Sequence, residues 1–228
     1  MKFIKKIIIF VIIVVILAIA YFVKIGYDYY KEVLNEKSFD DRIAEIRNSE
    51  KFVKYGDLAD NYINAVVAVE DHRFFKHGAI DPISIARAIH INFSNKELIE
   101  GGSTITQQVA KNVFFTQEET LKRKSAELLA SIELEQKCSK EEIFELYVNT
   151  SYFGSGYYGI KSASNGYYKK EPKDLNLDES SMLAGVPNAP SVYAPTKNPD
   201  LARERQKHVL RKMVEYGYIT QEESNSCQ

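Results

Sequence analysis

An unbroken apolar segment near the N-terminus constrains this chain more than any other feature of its sequence. Residues 7–23, IIIFVIIVVILAIAYFV, include no charged side chain. As a helix with a rise of about 1.5 Å per residue, the segment reaches roughly 25 Å, which is just enough to cross the hydrocarbon core of a bilayer. The sequence therefore predicts that residues 1–24 form a short basic tip followed by a membrane anchor.

A cleaved secretory signal is the alternative for the same segment, because Ala18 and Ala20 have the A-x-A spacing of a cleavage site. The apolar run continues past them to Val23, which favours the anchor. Three of the first six residues are lysines, so the positive-inside rule predicts a cytoplasmic N-terminus. Both interpretations place the rest of the chain outside the cytoplasm, and the anchor makes it a single-pass protein of the cell membrane.

The composition of the whole chain limits its partners. It has 228 residues, a net charge of −1 and no run of Lys and Arg longer than three. Nucleic-acid binding needs clustered cations that replace phosphate counterions, so we expect no nucleic-acid partner. The two cysteines, Cys138 and Cys227, match no zinc-ligand spacing.

Helix-start signals recur after the anchor, and few stretches alternate like strands, so the sequence predicts a mostly α-helical domain. Capping boxes are predicted for Thr104 with Gln107, Thr116 with Glu119, and Ser139 with Glu142. Asp81-Pro82 and Asn198-Pro199 each predict a further helix start, and Gly217 can close the helix that begins at Pro199. We expect a juxtamembrane linker or helix at 25–45, one domain at 46–217 and a C-terminal tail at 218–228.

The first candidate site lies where an apolar helix ends in Glu70 and Asp71, shortly before Phe74 and His77. A carboxylate at a helix end among apolar residues is a candidate for a raised pKa, and therefore for a general base. The ordinary alternative is a solvated glutamate at a helix end, and a lone histidine is more often a hydrogen-bonded structural residue.

The second candidate site begins at Gly102 and consists of hydroxyl, amide and amine side chains. Its members are Ser103, Thr104, Gln107, Gln108, Lys111 and Asn112. If Thr104 caps a helix, the free N–H groups of the first turn favour an anionic or sugar ligand. The alternative is a plain helix cap with solvated glutamines.

The third candidate site is Arg123, Lys124 and Glu127. The same helix has a predicted apolar stripe that includes Leu121, Ser125, Leu128, Leu129 and Ile132. Arg123 and Glu127 lie opposite that stripe, so we expect them to face solvent or a cleft. A surface ion pair between residues four apart is the ordinary explanation.

Together, these clusters resemble the peptidoglycan glycosyltransferases of family 51. The matching segments are EDHRFFKHG at 70–78, GSTITQQ at 102–108, RKxxE at 123–127, KEEIxExYxN at 140–149, YFGxGxxGI at 152–160 and LAGxPxAPS at 183–191. The resemblance implies a lysozyme-like helical fold and the polymerisation of lipid II into glycan strands. In that reaction the 4-hydroxyl of an acceptor sugar attacks the anomeric carbon of a lipid-linked donor with inversion, and a polyprenyl pyrophosphate leaves.

The resemblance also assigns roles to residues. Glu70 corresponds to the catalytic base of the family, and Glu127 to a second glutamate on the pyrophosphate side of the donor. It implies substrate contacts for Asp71, Phe74, His77, Ser103, Thr104, Gln107, Gln108, Lys111, Asn112, Arg123 and Lys124.

The resemblance implies no obligatory cofactor, and leaves room for a divalent cation, Mg or Mn, at the donor pyrophosphate. No S-x-x-K nucleophile occurs, so the chain looks like the monofunctional type without transpeptidase activity. We expect lipid II, the lipid-linked glycan strand and the membrane as partners, with cross-linking penicillin-binding transpeptidases as candidate protein partners.

Two alternatives remain open. A catalytically silent membrane-tethered scaffold would keep the fold without the chemistry, but it has no reason to retain both carboxylates and the surrounding cations. A lysozyme-like lytic enzyme would cleave glycan strands, but the cations beside Glu127 suit a pyrophosphate better than a neutral sugar.

Overall fold

The structure, a computed structural model, describes residues 2–95, 102–116 and 120–227. Within these ranges the chain forms twelve α-helices, and extended residues meet in a single antiparallel bridge between Tyr152 and Tyr158. The predicted mostly helical fold is confirmed. The helices are α1 Lys2–Glu36, α2 Phe39–Arg47, α3 Asp60–Glu70, α4 Pro82–Asn95, α5 Ile105–Phe114, α6 Leu121–Lys137, α7 Lys140–Thr150, α8 Ile160–Tyr168, α9 Leu177–Gly185, α10 Pro190–Tyr193, α11 Pro199–Glu215 and α12 Gln221–Ser226.

Helix α1 combines an apolar first half with a second half that belongs to the domain. From Phe3 onward it is long and apolar enough to cross a membrane, and its apolar window is unburied. Near its end, Tyr30 and Val33 are buried in the same core as Phe39 and Ile43 of α2. The region expected as a juxtamembrane linker or helix is therefore helical and packs into the domain.

Most of the predicted helix starts have the expected caps. The Ser139 side chain accepts from the backbone of Glu142, whose carboxylate reaches back to Ser139 N, so this capping box is confirmed. Thr104 accepts from Gln107 N at 3.2 Å, which confirms the N-cap of α5 but gives only one of the two hydrogen bonds of the predicted capping box. Asp81 accepts from Ile83 N at 3.0 Å at the start of α4.

The predicted cap at Thr116 is wrong. Helix α6 begins at Leu121, and the hydroxyl of Thr120 accepts from Arg123 N at 3.1 Å. A threonine can cap only the turn that directly follows it, and Thr116 lies too far upstream to reach these N–H groups. Its predicted partner Glu119 lies outside the described residues.

The C-terminal helices extend the fold beyond the predicted domain. Helix α11 starts at Pro199 as expected, and Gly217 follows its end with a φ of +75°. The segment predicted as a tail contains α12, which has a capping box between Thr220 and Glu223. Ser224 is fully buried, so this helix packs against the domain.

Helix α3 lies at the centre of the domain. Tyr62, Ala65 and Val66 have no exposed surface, and the helix packs against α9 and α11. Helix α5 packs against α6 and α7 on the other side of the core. Helix α3 runs through the core and ends at Glu70. The carboxylate of Glu70 therefore lies at the end of a buried helix.

The predicted apolar stripe of α6 is wrong at Leu121 and Ile132, although Ser125 within it is buried. Leu121 is 75% exposed and Ile132 39% exposed, whereas Leu134 is fully buried. The buried face of α6 also carries Ala126 and Ala130, whose small side chains allow close helix packing. Arg123 and Glu127 lie on this same face and are also buried. The ion pair of α6 therefore faces the interior of the domain.

We expect the two leucines at the ends of α6 to differ in their contributions to stability. Leu134→Ala leaves a cavity in the core and should lower the free energy of unfolding by about 2–5 kcal/mol. The matched variant Leu121→Ala should change it by less than about 0.5 kcal/mol. Urea unfolding of the full chain in detergent, followed by far-UV circular dichroism, measures both. Equal effects would contradict this assignment of the buried face.

Candidate active site

The helices α3, α5, α6 and α11 line a cleft of about 360 Å³, which we call the main cleft because most of the candidate residues meet in it. It brings together nine of the residues predicted from the sequence. They are Glu70, Asp71, Ser103, Gln107, Gln108, Lys111, Arg123, Lys124 and Glu127. The three candidate sites, which are separated by up to 57 positions along the chain, therefore form one site.

Glu70 is buried at the C-terminal end of α3. Its side chain is 8% exposed, and Gln108 Nε2 donates to Oε2 at 2.8 Å. Arg205 Nη2 lies 3.7 Å from Oε1. Burial raises the pKa of Glu70, the Gln108 hydrogen bond and the Arg205 charge oppose that rise, and the charge of Asp71 adds to it. The alternative of a solvated glutamate at a helix end is ruled out.

Two buried tyrosines lie behind Glu70. Tyr62 of α3 and Tyr147 of α7 have no exposed surface, and neither hydroxyl has a hydrogen-bond partner among the described residues. Burial and then the charge of Glu70 raise the pKa of both tyrosines, so both stay neutral. The carboxylate therefore has a low-dielectric wall on one side and the cleft on the other.

Asp71 and His77 belong to a hydrogen-bond network beside the cleft. Asp71 accepts from His77 Nε2 at 2.8 Å and from Ile105 N, at the start of α5, at 3.1 Å. Asp81 pairs with Arg73 at 3.0 Å in the same loop. The network ties the loop after α3 to the first turn of α5. His77 does not line the main cleft, which agrees with a structural histidine.

Phe74, which the resemblance placed in contact with substrate, is fully buried. Its ring packs against Phe144 of α7, and the Lys140 ammonium lies 4.5 Å from the ring centroid. A side chain without exposed surface cannot contact a ligand in the cleft, so the structure assigns Phe74 to the core. Apolar packing of the loop explains its place in the motif.

Thr104 and Asn112 lie at the margin of the site. Thr104 is buried, caps α5 and donates to the Ala79 carbonyl at 3.0 Å. Asn112 lines a second cavity of about 610 Å³, which shares Gln108 and Lys111 with the main cleft. The two cavities therefore lie next to each other along α5.

Arg123, Lys124 and Glu127 form an ion cluster on α6, in which Arg123 and Glu127 are buried and Lys124 is exposed. Glu127 is 1% exposed and pairs through Oε1 with the Arg123 guanidinium and through Oε2 with Lys124 Nζ at 3.1 Å. Lys124 also donates to Ser103 Oγ at 3.2 Å, which links α6 to the start of α5. The pair is therefore part of the cleft wall, and the surface ion-pair explanation is ruled out.

The sequence analysis missed a set of basic residues that line the same cleft. Arg205, His208 and Lys212 lie on one face of α11, and Arg87 reaches in from α4. Their spacing of three and four along α11 is the signal that could have revealed them. With them, six Lys and Arg side chains and three carboxylates line the cleft, so it favours an anionic ligand although the whole chain is nearly neutral.

The carboxylates in this region do not form a cage for a divalent cation. Asp71, His77 and Asp81 place ligand atoms within 4.8 Å of one another, but their atoms are used in the network described above. Both oxygens of Glu127 are paired with cations. A hard cation prefers several oxygen ligands. Among the described residues, the positive charge at the anion site therefore comes from Lys and Arg side chains. The carboxylates do not form a set of free ligands that fits a metal ion.

Comparison with known proteins gives the family of the chain. Residues 39–214 match the family model described as Transglycosylase. Penicillin-binding protein 1A of Aquifex aeolicus (strain VF5) is 45% identical over 172 residues, which cover 75% of this chain and 24% of that protein. Penicillin-binding protein 1F of Bacillus subtilis (strain 168) is 43% identical over 176 residues, which cover 77% and 25%.

Among solved structures, penicillin-binding protein 1A from Haemophilus influenzae is 23% identical, with a TM-score of 0.46, and covers 77% of this chain and 17% of that chain. The chain spans about a quarter of the length of the two penicillin-binding proteins named above. The family model covers most of the chain, so this protein belongs to the transglycosylase family.

The raised pKa of Glu70 predicts a stability change of defined sign. Between the ordinary value of 4.5 and the raised value, the folded chain binds more protons than the unfolded chain, so stability falls as the pH rises through this window. Glu70→Gln removes that cost. We expect the variant to unfold at a higher temperature than the wild type at pH 7, with a difference that vanishes near pH 4.

Glu142→Gln is the control with the opposite sign. The pKa of Glu142 is lowered because its carboxylate accepts the backbone N–H of Ser139, so its contribution is present at neutral pH and lost in acid. This variant should be less stable than the wild type at pH 7. A Glu70→Gln protein that is also less stable at pH 7 would contradict the burial cost assigned to Glu70.

Proposed function

We propose that this protein is a peptidoglycan glycosyltransferase that polymerises lipid II into glycan strands. The observation that carries the proposal is a buried carboxylate with a raised pKa, Glu70, in a cleft whose other side is lined by cations. A hydroxyl nucleophile needs a base, and a pyrophosphate leaving group needs positive charge where its own charge develops. Membership of the transglycosylase family supports the same reaction.

In the proposed reaction the 4-hydroxyl oxygen of the acceptor sugar attacks the anomeric carbon of the donor. A carbon–oxygen bond forms there with inversion, and the bond from that carbon to the pyrophosphate oxygen breaks. Glu70 takes the proton from the hydroxyl. Because burial raises its proton affinity, Glu70 is a stronger base than a solvated glutamate while remaining ionised at a pH above its pKa.

The cations of the cleft stabilise the leaving group in this proposal. Arg123 offers a planar guanidinium that can bind two phosphate oxygens at once, and Lys124 and Lys111 add charge from α6 and α5. Glu127 holds Arg123 and Lys124 in place before the donor arrives. Pre-positioned charge of this kind does not have to reorganise during the reaction.

The two adjacent cavities, of about 360 and 610 Å³, provide room for two sugar-bearing substrates in this proposal. Gln108, which hydrogen-bonds Glu70, lies on their shared wall together with Lys111. We propose that donor and acceptor meet at this wall, with the amide and hydroxyl side chains of α5 contacting the sugars. A divalent cation, Mg or Mn, would then arrive bound to the pyrophosphate oxygens, since the described carboxylates do not hold one.

Membrane anchoring fits the same proposal. Helix α1 would hold the N-terminus in the cytoplasm and the domain outside, as the N-terminal lysines suggest. Substrates with polyprenyl tails lie in the same membrane, so tethering raises their effective concentration at the cleft. Its polymer would be the substrate of cross-linking transpeptidases, which we propose as its functional partners.

The alternatives make different demands on the cleft. A lytic enzyme that hydrolyses glycosidic bonds works with a pair of carboxylates, one as an acid and one to act on water or sugar. Here the second buried carboxylate, Glu127, is paired with two cations. A silent scaffold would have no use for a desolvated carboxylate such as Glu70. Both alternatives predict that lipid II is not polymerised.

The direct test uses labelled lipid II and the detergent-solubilised full chain, with product length read on a gel. Glu70→Gln keeps the shape and removes the proton acceptor, so we expect polymerisation to fall about 10²- to 10⁴-fold. Glu204→Gln, an exposed glutamate of α11, is the matched control and should leave the rate unchanged. Polymer formation by Glu70→Gln at the wild-type rate would contradict the assignment of the base.

The anion site makes a separate prediction. Arg123→Ala removes a charged donor from the proposed pyrophosphate site and should lower kcat/KM for lipid II about 10- to 100-fold. Arg203→Ala is the control, because Arg203 pairs with Asp178 on the surface, outside the cleft. Steady-state rates over a range of lipid II concentrations distinguish the two. An unchanged kcat/KM in Arg123→Ala would show that this guanidinium serves only the fold.

A further inference from the structure

The membrane helix α1 crosses α6 at an unusually close contact. A Cβ atom added to Gly26 would lie 2.1 Å from Ser125 Oγ and 2.7 Å from the Ser125 carbonyl carbon. Carbon atoms in real proteins do not approach this closely, and the nearby backbone cannot turn away as a flexible side chain can. Only glycine at position 26 therefore allows the two helices to meet at this distance.

A hydrogen bond and aromatic contacts hold the same crossing together. Ser125 Oγ donates to the Phe22 carbonyl at 2.6 Å, which ties a backbone group of α1 to a side chain of α6. On either side of it, Lys122 Nζ lies 4.2 Å from the ring centroid of Tyr29, and Tyr30 OH donates to Glu133 at 2.9 Å. These contacts make the second half of α1 and the helix α6 one packed unit.

The crossing lies where the apolar run of α1 ends. Phe22 and Val23 are the last apolar residues of the run, and Lys24 is the first charged residue after it. In a bilayer that position corresponds to the boundary between hydrocarbon and head groups. A bilayer whose hydrocarbon core ends at Val23 would place Ser125 at the depth of the lipid phosphates.

The same turn of α6 carries the anion site. Lys124 directly precedes Ser125 and Glu127 follows two positions later, and both line the main cleft. Helix α6 thus contacts α1 on one face and presents the cations to the cleft on another. If α1 is fixed in a bilayer, a change in the distance between α1 and α6 would move these cations relative to the lipid phosphates.

We propose that the Gly26–Ser125 crossing holds the anion-binding face of α6 at the depth of the membrane phosphates, so that a pyrophosphate anchored in the bilayer meets it. Gly26 and Ser125 are positioning residues in this account, and they act through Lys124, Arg123 and Glu127. The inference rests on the proposed function, because it takes a membrane-held pyrophosphate as the ligand. It predicts that the crossing matters only when the bilayer fixes the height of the substrate.

Gly26→Ala tests this role with two forms of lipid II. In vesicles with the full polyprenyl tail, the substrate stays at a fixed depth, and we expect the rate to fall on the order of 10- to 100-fold, since displacements near 1 Å can cost this much. In detergent with a short-tailed analogue, the substrate can follow the site, and the rate should stay within about threefold of the wild type, far short of the loss in vesicles.

Gly56→Ala is the matched control, because a Cβ at Gly56 meets nothing within 4 Å. It should behave like the wild type in both assays. An equal loss of Gly26→Ala in vesicles and in detergent would overturn the inference, because it would mean that the crossing only supports the fold. A vesicle rate equal to that of the wild type would overturn it as well.

A depth measurement that needs no activity separates this inference from the proposed function. Leu121→Cys places a fluorophore on the exposed start of α6, in a chain in which Cys138 and Cys227 are replaced by serine. Spin-labelled lipids with the quencher at different depths then report the height of the label. We expect Gly26→Ala to change that height and Gly56→Ala to leave it. No change would overturn the inference, whereas an inactive wild type with the expected depth shift would overturn only the proposed function.

Discussion

The burial of two carboxylates against one cleft is the constraint on which the rest of this site depends. Taking a carboxylate out of water costs several kcal/mol unless the fold offsets it. Glu127 is offset by direct ion pairs to Arg123 and Lys124, whereas Glu70 has one amide hydrogen bond and a guanidinium at 3.7 Å. This support is unequal, because one carboxylate is paired directly with two cations, whereas burial raises the pKa of the other.

The helices explain how such a site can be rigid. Helix α3 runs through the core and ends at Glu70, and the loop after it is tied to α5 by Asp71. Helix α6 faces the cleft with its ion cluster and contacts the membrane helix through Ser125. In the proposed account, the side chains that bind the pyrophosphate and the contact with α1 thus share one helix. Anchoring and catalysis are therefore mechanically connected in the proposed account.

The helix caps could be predicted from the sequence, because they depend on neighbouring residues. The buried faces of the helices could not, because they depend on tertiary packing. The caps at Thr104 and Ser139 depend on a hydroxyl and the next turn, so they could be predicted. The buried face of α6 could not, because alanines and an ion pair take the place that a leucine stripe was expected to fill. The burial of Phe74 depends on which helices meet in space, and a motif contains no information about that. The cations of α11 have a signal in their spacing, but only the packing of α11 shows that this face lines the cleft.

The central claim is that Glu70 is a base because the fold raises its pKa, and a titration tests it directly. Glutamate labelled with ¹³C at the side-chain carboxyl carbon, in the full chain in detergent, gives one resonance for each glutamate, and Glu70→Gln identifies the one that disappears. The account predicts that this resonance titrates clearly above 4.5 and moves down when Asp71 is replaced by Asn, because the neighbouring charge adds to the rise. A resonance that titrates at or below 4.5 would contradict it.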